Sequence, residues 1–129
     1  MNGRAGRGRY QRVDRVGELV REIVAGGIGR LDDLRLVPVA ITGVEVDNEL
    51  SRAVVFYDVL DEADRAEAAE ALEEHRHRLQ QSLGRQSRLR RTPTLSFELD
   101  PSIGAARRIE EILDALEVGP DHPADDGAP

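Results

Sequence analysis

Only three segments of the chain have the apolar alternation or concentration that β-strands require, and this limits the possible folds. The first segment follows Pro38, the second runs from Ala53 to Val59, and the third follows Pro93. A sheet of three strands buries enough apolar surface only when helices cover one of its faces. The sequence therefore predicts an α+β fold in which helices back a single small sheet.

Helical periodicity is found around and between these strands. A first helix has apolar residues at helical spacing over 13–24, and the Gly-Gly-Ile-Gly sequence at 26–29 is expected to end it through positive-φ positions. Residues 61–91 predict one long helix or a pair of helices, with Asp61 as the N-terminal cap. A C-terminal amphipathic helix follows the third strand. The predicted order is helix, strand, strand, helix or helix pair, strand, helix.

The first two strands are expected to form an irregular hairpin. Their apolar phase shifts by one residue between Ile41 and Val44, which predicts a β-bulge near Thr42-Gly43. Residues 47–51 have the composition of a turn and should lead into the second strand. That second strand is apolar on both faces, as is typical of a central strand.

Charge is segregated along the chain. The net charge is −7, and all 18 basic residues other than histidine are arginine. Residues 75–97 contain six arginines and no acidic residue, whereas residues 45–74 contain two arginines and eleven acidic residues. A second basic region lies within residues 1–35, with eight arginines and five acidic residues. Because a phosphate backbone responds to the local field, an acidic protein can bind RNA through one concentrated arginine surface.

The candidate RNA-binding residues come from these two basic regions. Guanidinium groups form bidentate contacts with phosphate, and folded RNA would be recognised by its shape. If residues 72–88 are helical, Leu72, Leu79 and Leu83 face the sheet while the arginines face solvent. In the alternative, these arginines do not bind RNA: they only form the solvent-exposed face of a helix and pair with the acidic residues of 58–74. The predicted set is Arg7, Arg9, Arg12, His75, Arg76, His77, Arg78, Arg85, Arg88, Arg90 and Arg91.

Several kinds of catalytic or metal site are excluded by the sequence. There is no cysteine, and therefore no disulfide, thiolate metal site or cysteine nucleophile. His75 and His77 lie about 200° apart around a helix and cannot hold one metal ion together. Residues 59–64 spell VLDEAD, the second motif of DEAD-box helicases, but the chain has no lysine and no phosphate-binding G-x-x-x-x-G-K-[ST] loop. We expect no enzymatic activity, catalytic residue, metal or cofactor.

One domain with a terminal extension on each side is expected from 129 residues. We predict a flexible Gly/Arg-rich arm over 1–9, an RNA-binding domain over 10–117, and a disordered acidic tail over 118–129. No segment approaches the ~18 apolar residues of a membrane span, and the N-terminus lacks a signal-peptide core. A cytoplasmic protein without membrane contact is expected.

Over residues 9–117 the sequence resembles the ribosome-binding factor A family. The most specific stretch is LGRQSRLRRTPTLSFELDPS, where an arginine-rich helix end precedes an alternating strand. The segments RYQRVDRVGELVREIVAGGI and VPVAITGVEVDNELSRAVVFYDVL match the family's opening helix and paired strands. The resemblance implies a KH-like fold of type II order, helix-strand-strand-helix-helix-strand, without a working GxxG loop. Where the family has an Ala-x-Gly kink, this sequence has His75-Arg76-His77.

The resemblance also implies a function. Family members are non-enzymatic, cytoplasmic factors associated with cold adaptation, and here we expect a monomer. They bind the free 30S small ribosomal subunit through 16S rRNA and assist its late assembly and the maturation of the rRNA 5′ end. An alternative stays open, in which the protein is an acidic interaction module that docks on basic ribosomal or other proteins. A nuclease that trims rRNA is a third possibility, but the sequence lacks a metal or acid–base cluster for it.

Overall fold

Three helices and three strands make up the described part of the chain. The structure, a computed structural model, describes the backbone of residues 2–118 and the side chains of residues 11–102 and 109–116. The helices are α1 (Asn2–Arg30), α2 (Arg65–Gln86) and α3 (Pro101–Val118). The strands are β1 (Val39–Val46), β2 (Arg52–Val59) and β3 (Thr94–Leu99), and short 3₁₀ turns at Leu34–Leu36 and Glu62–Asp64 precede β1 and α2.

The three strands form one mixed sheet with β2 in the centre. β1 pairs with β2 antiparallel, and β2 pairs with β3 parallel, so that α2 is the crossover connection that parallel pairing requires. The β1–β2 register shifts between Ile41 and Gly43, which confirms the predicted bulge. The predicted turn is also confirmed, because Asp47 accepts hydrogen bonds from the backbone N–H groups of Ser51 and Arg52 at 2.7 and 3.0 Å.

Helices α1 and α2 cover one face of this sheet, where the core divides into two clusters. The first cluster joins α1, the C-terminal half of α2 and the adjacent sheet residues; its buried members are Val16, Val20, Ile23, Val24, Val46, Ala53, Val55, Leu79, Leu83 and Leu95. The second cluster joins the α1–β1 connection to the N-terminal half of α2; its buried members are Leu36, Tyr57, Val59, Ala68, Ala71 and Leu72. The predicted leucine face of α2 is therefore confirmed as part of the core.

The glycine sequence at 26–29 does not end α1, and that prediction was wrong. The helix continues to Arg30, and no glycine of the described chain has a positive φ. Gly27 is buried, and a Cβ atom there would lie only 2.7 Å from Leu79 Cδ2. The glycine thus permits the close approach of α1 to α2, which local sequence patterns do not report.

Helix α2 is a single helix of 22 residues, where the type II order has a helix pair. Residues 75–77 and Gly84 both lie inside it. Its first half consists mainly of alanine, glutamate and leucine, which favour an uninterrupted helix. Asp61 is a cap, but of the 3₁₀ turn Glu62–Asp64 and not of α2 as predicted: its Oδ1 accepts a hydrogen bond from the Ala63 N–H at 3.0 Å, and α2 begins only at Arg65.

The predicted domain boundaries differ from the boundaries of the structural units. α1 begins at Asn2, so its backbone includes the predicted arm, because the helix propagates through residues 2–9 without a proline to stop it. Two compact units are present, Met1–Leu99 and Asp100–Pro129, and α3 belongs to the second. Of the predicted tail, only Val118 lies within the described residues. A single domain over 10–117, the flexibility of the arm and the disorder of the tail remain predictions.

Candidate RNA-binding surface

The C-terminal half of α2 separates leucines from arginines. Leu79 and Leu83 are buried, whereas Arg78 and Arg85 are exposed. Because these two arginines are seven residues apart, they lie almost above one another on the same side of the helix. Burial of the leucines therefore holds both guanidinium groups on the solvent side, as predicted from their spacing.

The loop after α2 presents its arginines from an anchored backbone. Ser87 and Pro93 are buried, and Leu89 packs against the first core cluster. Because these side chains point into the protein, most of the other residues of the loop 87–93, which we call the arginine loop, are exposed to solvent. The exposed arginines of the loop are Arg88, Arg90 and Arg91.

Gln80 ties this loop to α2. Its side-chain N–H donates to the Pro93 carbonyl at 2.8 Å, and its Oε1 accepts from the Leu95 N–H at 2.8 Å. The same amide thus fixes the end of the arginine loop and the start of β3. Gln80 was not singled out from the sequence, where one more glutamine in a polar helix gives no signal.

Five exposed arginines, which we call the arginine surface, have no acidic partner among the described residues. The set comprises Arg78, Arg85, Arg88, Arg90 and Arg91. No carboxylate oxygen in the described chain lies within 4.0 Å of their nitrogens. Arg85 Nη2 contacts only the Ser82 hydroxyl, at 3.5 Å. The alternative in which the acidic residues of 58–74 neutralise the basic region therefore does not describe these five.

Arg76 differs from them, because its Nε donates to Glu73 Oε2 at 2.7 Å. The other ion pairs of the acidic residues in 58–74 involve Arg35 and Arg65, and neither arginine belongs to the predicted RNA-binding set. Among the predicted RNA-binding arginines whose side chains are described, Arg76 is thus the one that forms an ion pair, with Glu73 one helical turn away.

The two histidines of α2 have different surroundings. His75 Nε2 lies 2.8 Å from Asp33 Oδ2 and is partly buried, whereas the His77 side chain is exposed. Their two-residue spacing places them on different sides of the helix. No group of three potential metal ligands occurs among the described side chains.

The amino-terminal arginines of the predicted set belong to α1, which packs against the C-terminal half of α2 in the first core cluster. Arg12 is exposed and lies about one turn before Val16, which belongs to the same core cluster as Leu83. Arg7 and Arg9 belong to the backbone of α1, and their side chains lie outside the described residues. Arg12 and Arg78 are 66 positions apart in the sequence, and the helices that carry them pack together in the first core cluster.

The opposite end of α2 is acidic and internally hydrogen-bonded. Asp33 Oδ2 accepts from Arg35 Nη2 at 2.7 Å, and the same nitrogen donates to Glu74 Oε1 at 2.7 Å. The hydrogen bonds from Arg35, and then that from His75, hold the pKa of Asp33 far below its usual value. The Arg35 hydrogen bond likewise lowers the pKa of Glu74. These carboxylates are ionised at neutral pH and, with Glu70, outnumber the one Arg35 guanidinium that they share, so this region repels phosphate.

A mixed three-stranded sheet with two helices on one face, carrying an arginine surface at one end, defines a small KH-like α+β domain. The family model of ribosome-binding factor A matches residues 12–113. The chain therefore belongs to the ribosome-binding factor A family, as its sequence predicted. In the described part, none of the helices has both the length and the apolar character needed to cross a bilayer.

Curated relatives from several bacteria are similar to this chain over most of its length. Ribosome-binding factor A of Rubrobacter xylanophilus is 43% identical over 95 residues, which cover 73% of this chain and 78% of the relative. The protein of the same name from Magnetococcus marinus is 36% identical over 118 residues, covering 89% of this chain and 96% of the relative. The similarity thus extends over most of the length of both proteins.

Solved structures of the family have a similar fold. The crystal structure of ribosome-binding factor A from Thermus thermophilus matches with a TM-score of 0.62 and 26% identity, covering 67% of this chain and 94% of that one. A homology model of the Thermus thermophilus factor, fitted into a cryo-EM map of a 30S–RbfA complex, matches with a TM-score of 0.51 and 29% identity, covering 60% and 84%. Together with the topology, these matches confirm the predicted KH-like fold class.

Proposed function

We propose that this protein is an assembly factor that binds the free 30S small ribosomal subunit through 16S rRNA and assists its late assembly. Family membership supports the proposal, as does the Thermus relative fitted into a map of a 30S complex. The observation that carries it for this chain is the arginine surface, five exposed guanidinium groups without acidic partners among the described residues, on a protein of net charge −7.

The arginine surface is proposed to contact phosphate groups of folded rRNA. Guanidinium forks match phosphate oxygens and carry no requirement for a particular base. If about five phosphates are neutralised, the logarithm of the affinity falls with the logarithm of salt concentration at a slope of about −3.5 to −4.5. The acidic end of α2 repels the same backbone, so approach with the arginine surface first is favoured.

The other predicted residues are proposed to take secondary parts. Arg12, and with it Arg7 and Arg9, extends the positive field along α1, and His77 adds an exposed donor beside the arginines. Arg76 and His75 already have partners in the folded chain. To contact RNA, Arg76 must give up its bond to Glu73, and His75 its bond to Asp33. We therefore expect smaller losses of RNA affinity from their substitution than from substitution within the arginine surface.

Maturation of the 16S rRNA 5′ end is proposed to be assisted by binding alone, in the cytoplasm and by a monomer. The arginine surface can hold a precursor RNA in one conformation while a separate nuclease cleaves it. This division of labour is tested by incubating the purified protein with end-labelled precursor RNA. Fragments produced by the protein alone would show that it is itself a nuclease.

Binding to the subunit is tested by co-sedimentation with purified 30S particles. The variant R78A/R85A/R88A should lose most of its binding. The matched control R15A/R21A/R30A removes three exposed arginines of α1 that lie outside the predicted set, and it has the same net charge. Binding that survives in the first variant, or that is lost equally in both, would contradict a localised RNA surface.

A further inference from the structure

Apolar side chains converge at the acidic end of α2, opposite the arginine surface. Leu34, Val37 and Leu60 are 85%, 75% and 86% exposed, respectively. Leu34, Val37 and Pro38 line one groove with Asp64 and Glu67. Leu60 is not part of this lining; it follows Val59, which pairs with Val39, the residue after Pro38 of the groove. We call this surface the apolar groove.

The exposure of Leu34 and Val37 is built into a rigid turn. The 3₁₀ turn Leu34–Leu36 is capped by Asp33, whose Oδ1 accepts from both the backbone N–H and the Nε of Arg35 at 3.0 Å. Leu36 is buried in the second core cluster, which sets the orientation of the turn and leaves its neighbours outside. An apolar surface held in one geometry needs little further ordering to bind a partner.

Arg35 also lines the groove, but its guanidinium already has carboxylate partners. Besides its bonds to Asp33, it donates to Glu74 at 3.2 and 2.7 Å. The Arg35 charge is therefore balanced by Asp33 and Glu74 within the fold, although its side chain is partly exposed. This leaves the carboxylates as the dominant charge at the groove.

Those carboxylates define the kind of partner that fits. Asp64 and Glu67 line the groove, and Asp61, Glu62 and Glu70 are exposed nearby on the same turn and helix. Glu62 pairs with Arg65 and Glu70 with Arg35, so these five carboxylates outnumber the two guanidinium groups among them. Negative potential of this kind disfavours nucleic acid and favours cationic groups. Exposed leucine and valine side chains additionally favour a partner that buries apolar surface.

We propose that the apolar groove binds a basic protein segment that carries large apolar side chains among its lysines or arginines. Glu67 and Arg85 lie 18 positions apart on α2, which corresponds to about 27 Å along the helix axis. One molecule can therefore hold RNA at one end and a basic protein segment at the other. The groove and its acidic rim carry this inference, which does not depend on the proposed 30S function.

The test uses the full chain and two defined peptides. One is a short labelled peptide of alternating lysine and leucine, and the other has serine in place of every leucine. By fluorescence anisotropy, the lysine–leucine peptide should bind at least roughly tenfold tighter, because only it buries apolar surface. L34S/V37S should reduce its affinity to that of the serine peptide, whereas D64N/E67Q should weaken both peptides.

Two controls separate this groove from other surfaces. I112S/L116S removes apolar side chains of α3 that are 58% and 73% exposed, and it should leave peptide binding unchanged. R78A/R85A/R88A should also retain peptide affinity although it loses 30S binding, so failure of the groove and failure of the RNA surface are distinguishable. Equal losses in L34S/V37S and I112S/L116S would overturn the proposal.

Self-association is the remaining way to cover the groove. Sedimentation equilibrium of the wild-type chain should show a monomer, with L34S/V37S behaving identically. A wild-type dimer that dissociates in L34S/V37S would identify a second copy as the occupant and overturn the assignment to a basic segment. Because both side chains are largely exposed, the variant is expected to fold, which circular dichroism checks.

Discussion

The contact between Gly27 and Leu79 allows a test of why α1 contains consecutive glycines. In the variant G27A, the new Cβ would lie 2.7 Å from Leu79 Cδ2, well inside van der Waals contact. Leu79 is only 1% exposed and packs in the first core cluster, so it can shift only by disturbing its neighbours. Overpacking of this kind costs about 1–3 kcal/mol.

Alanine also favours the helix over glycine by about 0.5–1 kcal/mol, which opposes the steric cost. We expect G27A to be less stable than the wild type by up to about 2 kcal/mol. Gly29 is the matched control, since a Cβ there meets no atom within 4 Å and the residue lies in the same helix. G29A should therefore be as stable as the wild type or more stable, by up to about 1 kcal/mol.

Urea denaturation of the three proteins measures these free energies of unfolding, with unchanged m-values expected. A further variant, G27A/L79V, removes the atom that clashes, so its destabilisation should be smaller than the sum of the two single substitutions. If G27A were as stable as G29A, the close approach of α1 and α2 would not be the reason for glycine at this position.

The remaining predictions concern charge and loop anchoring. In salt titrations of RNA binding, R78A/R85A/R88A should reduce the steepness of the logarithmic slope by about 2–3, and an unchanged slope would mean that these arginines neutralise no phosphate. Because the pKa of Glu74 is lower in the folded than in the unfolded state, its contribution to stability is complete above the unfolded pKa and disappears as pH falls through the folded pKa. E74Q should accordingly lose less stability than the wild type between neutral and acidic pH, whereas parallel pH profiles in denaturation experiments would refute the role of the Arg35 pair. Q80A should destabilise the fold by about 1–3 kcal/mol and increase tryptic cleavage of the arginine loop, unlike Q81A at an exposed position, and equal effects of the two would exclude anchoring by Gln80.

The proposed RNA-binding surface and the proposed peptide-binding groove lie toward opposite ends of α2. The arginine surface has the chemistry of a phosphate-binding site. The apolar groove has the chemistry of a site for a basic peptide. Leu72, Leu79 and Leu83 anchor both halves of the helix in the core. A rigid helix between two unlike surfaces keeps their separation constant when either is occupied.

Much of the architecture could be predicted because it depends on local periodicity. Leucines at 72, 79 and 83 identify the buried side of α2, and the phase change after Ile41 identifies the bulge. Asp61 is recognisable as a cap because capping involves residues only a few positions away. These features need no knowledge of distant contacts.

Features that depend on distant residues were missed or misinterpreted. The Asp33–His75 contact joins positions 42 apart, and the Arg35–Glu74 pair joins positions 39 apart. Nothing near either residue in the chain indicates its partner. The sequence therefore groups His75 with the basic segment, whereas the structure places it against Asp33.

Periodicity and composition alone were sufficient to establish the element order, the helix-backed sheet and the presence of a basic segment in an acidic chain. Tertiary packing decided which arginines lack carboxylate partners within the described chain and which leucines remain outside the core. It also decided which glycine allows two helices to approach closely. The physical reason is that periodicity reflects the nearest few residues. Neutralisation, close approach and burial depend on groups that are brought together only when α1, α2 and the sheet pack.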